Sequence, residues 1–238
     1  MKIACWSGPR NISTAIMRSW SSRKDTFVSD EPLYAPYLNH NKLKHPMAGE
    51  IINHYPNTYK QAINMLLKKN PKNKKIWYQK HMAHHIVSFE NIDWIKDFEN
   101  CFLIRHPKKV ISSYTKKNDL THIDELGYLQ QLKLIKYLKR SGCNFFVIDS
   151  DSLIDNPRQI LKKWCQFIGI DFDEKMLRWE KKIYSTDGIW AKHWYDSVLK
   201  TEGFNNQVIE KEYRVNDKYK KILKKSLKIY NQLLLLSI

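Results

Sequence analysis

The stretch Cys5-Trp6-Ser7-Gly8-Pro9-Arg10-Asn11-Ile12-Ser13-Thr14 decides the fold of this 238-residue chain. Residues 2–6 form a short, largely apolar run of strand type, and Ile12, Ala15, Ile16, Ser19 and Trp20 then recur at helical spacing. The turn between them is built to meet an anion. The first turn of a helix leaves backbone N–H groups unpaired, with roughly half a positive charge from the helix dipole. Gly8 and Pro9 set the turn, Ser13 and Thr14 add hydroxyls, and Arg10 brings a fixed cation. The bland alternative is a tight turn in which Ser13 or Thr14 merely caps the helix.

Further runs of strand type lie at residues 26–29, 76–79, 101–104 and 144–148. Helical periodicity fills the intervals, at 56–69 (entered through Asn57 or Thr58), at 126–138 and after Pro157. Strands that alternate with helices imply parallel pairing through crossovers. The expected fold is therefore a three-layer α/β/α domain around a mostly parallel sheet of about five strands, like that of the P-loop nucleoside triphosphate hydrolases. One domain is expected over residues 1–238, closed by an amphipathic helix at about 216–236 with lysines on its outer face. Residues 184–206 read as a long loop. Its segment Trp190-Ala-Lys-His193-Trp-Tyr195 is either a lid or acceptor wall, or an aromatic cluster fastening the loop to the body.

The charge is strongly positive: 41 basic against 24 acidic residues give +17. Anionic partners account for such an excess, and so does an AT-rich genome, because Lys, Asn and Ile are all frequent. No nucleic-acid-binding motif accompanies the charge, so no nucleic-acid partner is expected. The four cysteines, 5, 101, 143 and 165, lack CxxC spacing and read as reduced thiols. No apolar run approaches the ~20 residues of a membrane span, and a cytoplasmic protein is expected.

The nucleotide-binding loop G-x-x-x-x-G-K-[ST] is the obvious comparison for the first turn, yet both its second Gly and its Lys are missing here. ATP or GTP chemistry is thereby disfavoured. The segment Cys101-Phe-Leu-Ile-Arg105-His106-Pro107 through Ser113-Tyr114 is a second strand, turn and helix. Its Arg105 falls at the carboxyl end of the strand, on the sheet edge where open α/β folds bind ligands.

Together these segments resemble the sulfotransferase superfamily. Pro9, Arg10, Ser13 and Thr14 match the Pro, Lys and two hydroxyls of its P-K-S-G-T-T loop, while Asn11-Ile12 replaces Ser-Gly. Arg105, Pro107 and Ser113 match R-D-P-R-D-x-x-x-S, with His106 for the first Asp. A third segment, from Ile148 through Asp155, Asn156 and Pro157 to Gly169, is similar to E-D-L-x-x-D-P followed by L-G. The likeness covers roughly residues 1–180.

The resemblance implies sulfuryl transfer from 3′-phosphoadenosine 5′-phosphosulfate to a hydroxyl or amine of a small-molecule acceptor, without a metal. It implies that Arg10, Asn11, Ile12, Ser13 and Thr14 bind the 5′-phosphosulfate, and that Arg105 and Ser113 bind the 3′-phosphate. Arg10 would also be catalytic. For the base it offers Glu31, because Glu31-Pro32 resembles the family's E-P motif, or His81, because Lys80-His81 more loosely resembles K-T-H. His81 and His85 at i, i+4 also suggest a metal pair, but Met82 stands where a metalloprotease helix needs Glu. An ATP-dependent phosphotransferase and a basic nucleic-acid binder are the competing readings.

Overall fold

Each of the five apolar runs becomes a strand, and all five lie parallel in one sheet. The computed structural model describes residues 1–204 and 213–237. The amino-terminal half contains β1 (Lys2–Ser7), α1 (Ser13–Ser21), β2 (Thr26–Asp30), α2 (Tyr34–Asn41), α3 (Ala48–His54) and α4 (Tyr59–Leu67). Then come β3 (Ile76–Met82), β4 (Glu99–Ile104), α5 (Pro107–Tyr114), α6 (Tyr128–Arg140) and β5 (Phe145–Asp149). α7 (Ser150–Asp155), α8 (Pro157–Phe167), α9 (Ala191–Trp194) and α10 (Lys220–Leu234) complete the described chain.

The strand order is β2-β3-β1-β4-β5, so β1 is central, with β3 on one side and β4 on the other. In register, Cys5 lies between Lys80 and Cys101, and Trp6 between His81 and Phe102. Because the chain reverses its direction of travel across the sheet at β1, the carboxyl end of β1 opens into the crevice where such sheets receive ligands.

Side chains alternate across the sheet. Ile3, Cys5 and Tyr78 pack with α1 and α8, whereas Ala4, Trp6, Trp77 and Phe102 pack with α4, α6 and α10. On the first face, Trp164 of α8 meets Trp20 edge-on (5.0 Å between centroids), and Trp20 stacks on Tyr78 (5.5 Å). Each such pair contributes about 0.5–1.5 kcal/mol beyond area burial. These rings tie α1, and hence the turn before it, to the sheet.

Several boundaries differ from the sequence reading. The helix expected at 56–69 starts at Tyr59, because Thr58 accepts a hydrogen bond from the Gln61 amide (3.3 Å) and caps it. The helix expected at 126–138 is broken at Gly127, whose φ of 72° ends a short helical turn at Ile123–Leu126 before α6 begins. β3 runs on to Met82, so His81 is a strand residue. The stretch 184–204 is not bare loop: it holds α9, a helical turn at Val198–Lys200 and a bridge from Arg178 to Gly203. Asn205 and Asn206, the end of the expected loop, lie outside the described residues. α10 buries Ser226, Tyr230 and Leu233, while Leu234 is exposed. Among the described residues no helix is long and apolar enough to cross a membrane.

Candidate active site

The turn after β1 is gripped from three sides. At its start a Cβ on Gly8 would lie 2.2 Å from the Leu126 carbonyl oxygen, so no other residue fits without moving the approach to α6. At its centre Asn11, 1% exposed, donates from Nδ2 to the Leu103 carbonyl of β4 (3.0 Å). The carbonyl of Asn11 in turn accepts from Ser150 Oγ (3.2 Å), which also reaches the Ile104 carbonyl (2.7 Å). From the third side, Arg105 donates Nη1 to the Arg10 carbonyl (2.8 Å). Arg10 itself donates Nε to Ser113 Oγ on α5 (2.9 Å). The two motifs, about ninety residues apart in sequence, are in direct contact.

What the turn leaves open matters more than what it closes. Arg10 and Ile12 take left-handed φ values of 61° and 57° on either side of Asn11. For a β-branched residue such as Ile12 this costs about 1–3 kcal/mol. The position matches the family's Gly, which explains why Gly is at home there. Ile12 stands at the cap position of α1, and no side chain caps the helix. Neither the Ser13 nor the Thr14 hydroxyl is engaged among the described residues, so the capping alternative fails. The backbone N–H groups from Asn11 to Ala15 likewise donate to nothing among the described residues. Burial and the neighbouring charge of Arg105 push the Arg10 guanidinium down, opposed by Asp196. Two adjacent guanidiniums above a ring of open donors gain from an anion between them.

A second polar cluster stands at the carboxyl ends of β2 and β3. Lys80, fully enclosed, donates to Asp30 Oδ1 (2.9 Å), Glu31 Oε1 (2.8 Å) and the Tyr195 hydroxyl (2.6 Å). Tyr195 donates to Asp30 Oδ2 (2.5 Å), which also accepts from the Gly188 amide (3.0 Å). Glu31 has a φ of 39°, fixed by its amide to the Lys80 carbonyl (3.0 Å) and its carbonyl to the Tyr34 amide (2.9 Å). Burial, and then the Asp30 charge, raise the Glu31 carboxyl against the lowering pull of Lys80. Lys80 is raised well above its ordinary value by the two carboxylates, despite burial.

The histidines are elsewhere. His81 projects to the opposite face of β3 from Lys80, stacks on Trp6 (4.4 Å between centroids) and bonds Gln79 Oε1 (3.1 Å). It is 1% exposed, and burial pushes it down to about 3. His84 is likewise pushed down to about 3, and His85 well below its usual value. Because His81 is on the strand and His85 in the short turn at Ala83–His85, the i, i+4 helical pair considered for a metal does not form. Among the described residues no group of three or more His, Cys, Asp or Glu side chains is placed to hold a metal ion.

Sequence reasoning placed Arg10, Ser13, Thr14, Arg105 and Ser113 in one place and Glu31 at the carboxyl end of β2, but missed Lys80 as the partner of Glu31 and Tyr195 as the partner of Lys80 and Asp30. A lysine inside the apolar run of β3 was the available signal, since a buried ammonium requires acidic company. The aromatic segment resolves toward fastening: Trp190 is buried edge-on to Tyr34 (5.1 Å) and tilted on Tyr55 (5.3 Å).

Comparison with known proteins agrees with this geometry. The chain is 30% and 29% identical over 204 residues to "Branched-chain-amino-acid aminotransferase-like protein" 1 and 2 of Arabidopsis thaliana. The match covers 86% of this chain but only 36% of theirs, so the chain spans about a third of the length of these relatives. The fold is shared with the sulfotransferase domain of the Synechococcus PCC 7002 olefin synthase (TM-score 0.66, 15% identity, 97% of this chain and 94% of that one). It is also shared with the sulfotransferase domain from the curacin biosynthetic pathway (TM-score 0.54, 15% identity, 94% of this chain and 96% of that one). A sulfotransferase domain model matches residues 1–233, and with a match of that extent the chain belongs to the sulfotransferase domain family.

Proposed function

We propose that the chain, acting as one unit over residues 1–238, transfers a sulfuryl group from 3′-phosphoadenosine 5′-phosphosulfate to a hydroxyl or amine of a small-molecule acceptor. The observation that carries this reading is the turn itself: N–H groups from Asn11 to Ala15 and hydroxyls of Ser13 and Thr14 that meet no partner among the described residues, beside the guanidiniums of Arg10 and Arg105. The donor set suits phosphate and sulfate oxygens. In this reading Arg10 and the amides of Asn11, Ile12, Ser13 and Thr14 hold the 5′-phosphosulfate, and Arg105 and Ser113 hold the 3′-phosphate.

The donor supplies an activated S–O bond whose leaving group is a stabilised phosphate. As the acceptor oxygen or nitrogen bonds to sulfur, the bond to the bridging phosphate oxygen breaks and the electron pair stays on that oxygen. Arg10 stabilises the charge that develops there. The acceptor proton goes to Glu31, whose Oε2 has no donor among the described residues and whose carboxyl is raised by burial. His81 is the weaker candidate, because its ring is sandwiched in the core against Trp6. Three of the four free cysteines are buried, which fits a reducing, cytoplasmic setting.

Calorimetry with adenosine 3′,5′-bisphosphate in the absence of Mg²⁺ tests the donor assignment. Binding is expected, and it should weaken in Arg105→Ala. Tighter binding of Mg-ATP would overturn the reading in favour of a phosphotransferase. Salt-steep binding of random DNA that survives Arg105→Ala would turn it toward a nucleic-acid binder.

A further inference from the structure

We propose that Lys80, Asp30 and Tyr195 are positioning residues of the transfer reaction, a buried network that holds the Glu31 carboxylate in place and leaves one of its oxygens free. The inference rests on the reading of Glu31 as the base and deepens it.

An ammonium has three donors and no acceptor. All three N–H groups of Lys80 are used, on Asp30 Oδ1, Glu31 Oε1 and the Tyr195 hydroxyl, at 2.6–2.9 Å. A lysine so saturated, with its side chain 2% exposed, has no proton left for a sulfuryl oxygen. Its position beside the site is therefore not that of a substrate contact. Asp30 is saturated too: Lys80 takes Oδ1, and Tyr195 and the Gly188 amide take Oδ2. The hydroxyl of Tyr195 accepts from Lys80 and donates to Asp30, closing the ring.

Glu31 is the one open member. Lys80 occupies its Oε1, Oε2 meets no donor among the described residues, and the side chain is 13% exposed against 1% for Asp30. Two carboxylates and one ammonium leave one net negative charge, and the geometry delivers it to the only carboxylate a proton can reach. The left-handed φ of Glu31, costly for a residue with a side chain, is held by backbone bonds to Lys80 and Tyr34. The groups facing Glu31 are Asp30 at the end of β2, Lys80 on β3, Tyr34 on α2 and Tyr195 after α9. The Lys80 charge in turn adds to the burial that keeps His85 neutral. Without Lys80 two buried carboxylates repel, and a proton binds Glu31 more readily. Without the Asp30 charge, Lys80 answers to Glu31 alone and a proton binds it less readily.

The test is a ¹³C NMR titration of the Glu31 carboxyl in the full chain, assigned by Glu31→Gln. It is paired with the rate at which the enzyme hydrolyses 3′-phosphoadenosine 5′-phosphosulfate, with water as surrogate acceptor. Lys80→Met should move the Glu31 midpoint up, and Asp30→Asn should move it down. Lys80→Arg should keep the midpoint near wild type while slowing hydrolysis, because the charge stays and the three-way geometry goes. Tyr195→Phe, which removes a donor from Asp30 and an acceptor from Lys80 together, should shift the midpoint less than either charge change. If Lys80→Met does not fold, the downward shift in Asp30→Asn carries the test. Midpoints that stay put, or that move the same way in both charge variants, overturn the inference while leaving Glu31 as base. Hydrolysis unaffected in Glu31→Gln instead overturns the base reading, whatever the midpoints do.

Discussion

The two polar regions at the top of the sheet are built on opposite plans. In the turn at Gly8–Thr14 the Arg10 and Asn11 carbonyls and the Asn11 Nδ2 find partners within the protein, while the N–H groups from Asn11 to Thr14 meet none among the described residues and the guanidinium charge is left open. The cluster of Lys80, Asp30, Glu31 and Tyr195 satisfies almost everything internally and leaves one carboxylate oxygen open. On the reading proposed above an anion completes the first region, whereas the second is nearly complete alone. The two regions thus differ in how many partners the fold withholds.

This difference predicts where mutations act. The largest effect should come from Lys80→Met, which strands two buried carboxylates and should cost about 3–5 kcal/mol in urea unfolding. The buried histidines should give the next largest effect. With its folded value near 3, His81 stays neutral while the unfolded chain takes up a proton below its ordinary value of 6.5. Stability is therefore full above that value and is lost as pH falls toward 3, and His81→Gln should flatten that part of a stability-versus-pH curve.

On the open side, Arg105→Ala should hardly move the melting temperature but should weaken adenosine 3′,5′-bisphosphate binding roughly 10- to 100-fold, the worth of a charge-assisted hydrogen bond. Equal losses of stability in Arg105→Ala and Lys80→Met would break the contrast. Gly8→Ala should cost about 1–3 kcal/mol, because its methyl meets the Leu126 carbonyl, and should also loosen bisphosphate binding. Smallest of all, Ile12→Gly trades relief of a left-handed φ against a half-buried side chain, and unfolding should change by less than about 1 kcal/mol.

The open region was legible because its parts are contiguous. Gly8, Arg10, Ser13 and Thr14 lie in one short segment whose strand-to-helix pattern carries its own logic, and Arg105 follows a strand in the same way. The closed region was legible only in part. Glu31 stood out beside Pro32, but Lys80 reaches it from β3 and Tyr195 reaches Lys80 from the segment after α9, and no local periodicity links three such distant positions. His81 misled for a related reason. Its neighbours resembled a helix start, whereas burial on both faces extended β3 through it and turned the ring toward Trp6. All five strands were visible because apolar runs of that length have few alternatives. Gly127 was harder to foresee, since the break there answers to the close approach of Gly8.

The segment from Lys182 to Tyr195 is fastened entirely from its inner side. Asp187 takes both terminal nitrogens of the buried Arg18 (2.5 Å each), and Asp30 takes Gly188 and Tyr195. Lys192 and His193, between those anchors, face outward. The segment is thus divided into positions that anchor it and positions that stand exposed. The outward residues can be exchanged without disturbing the anchors beneath.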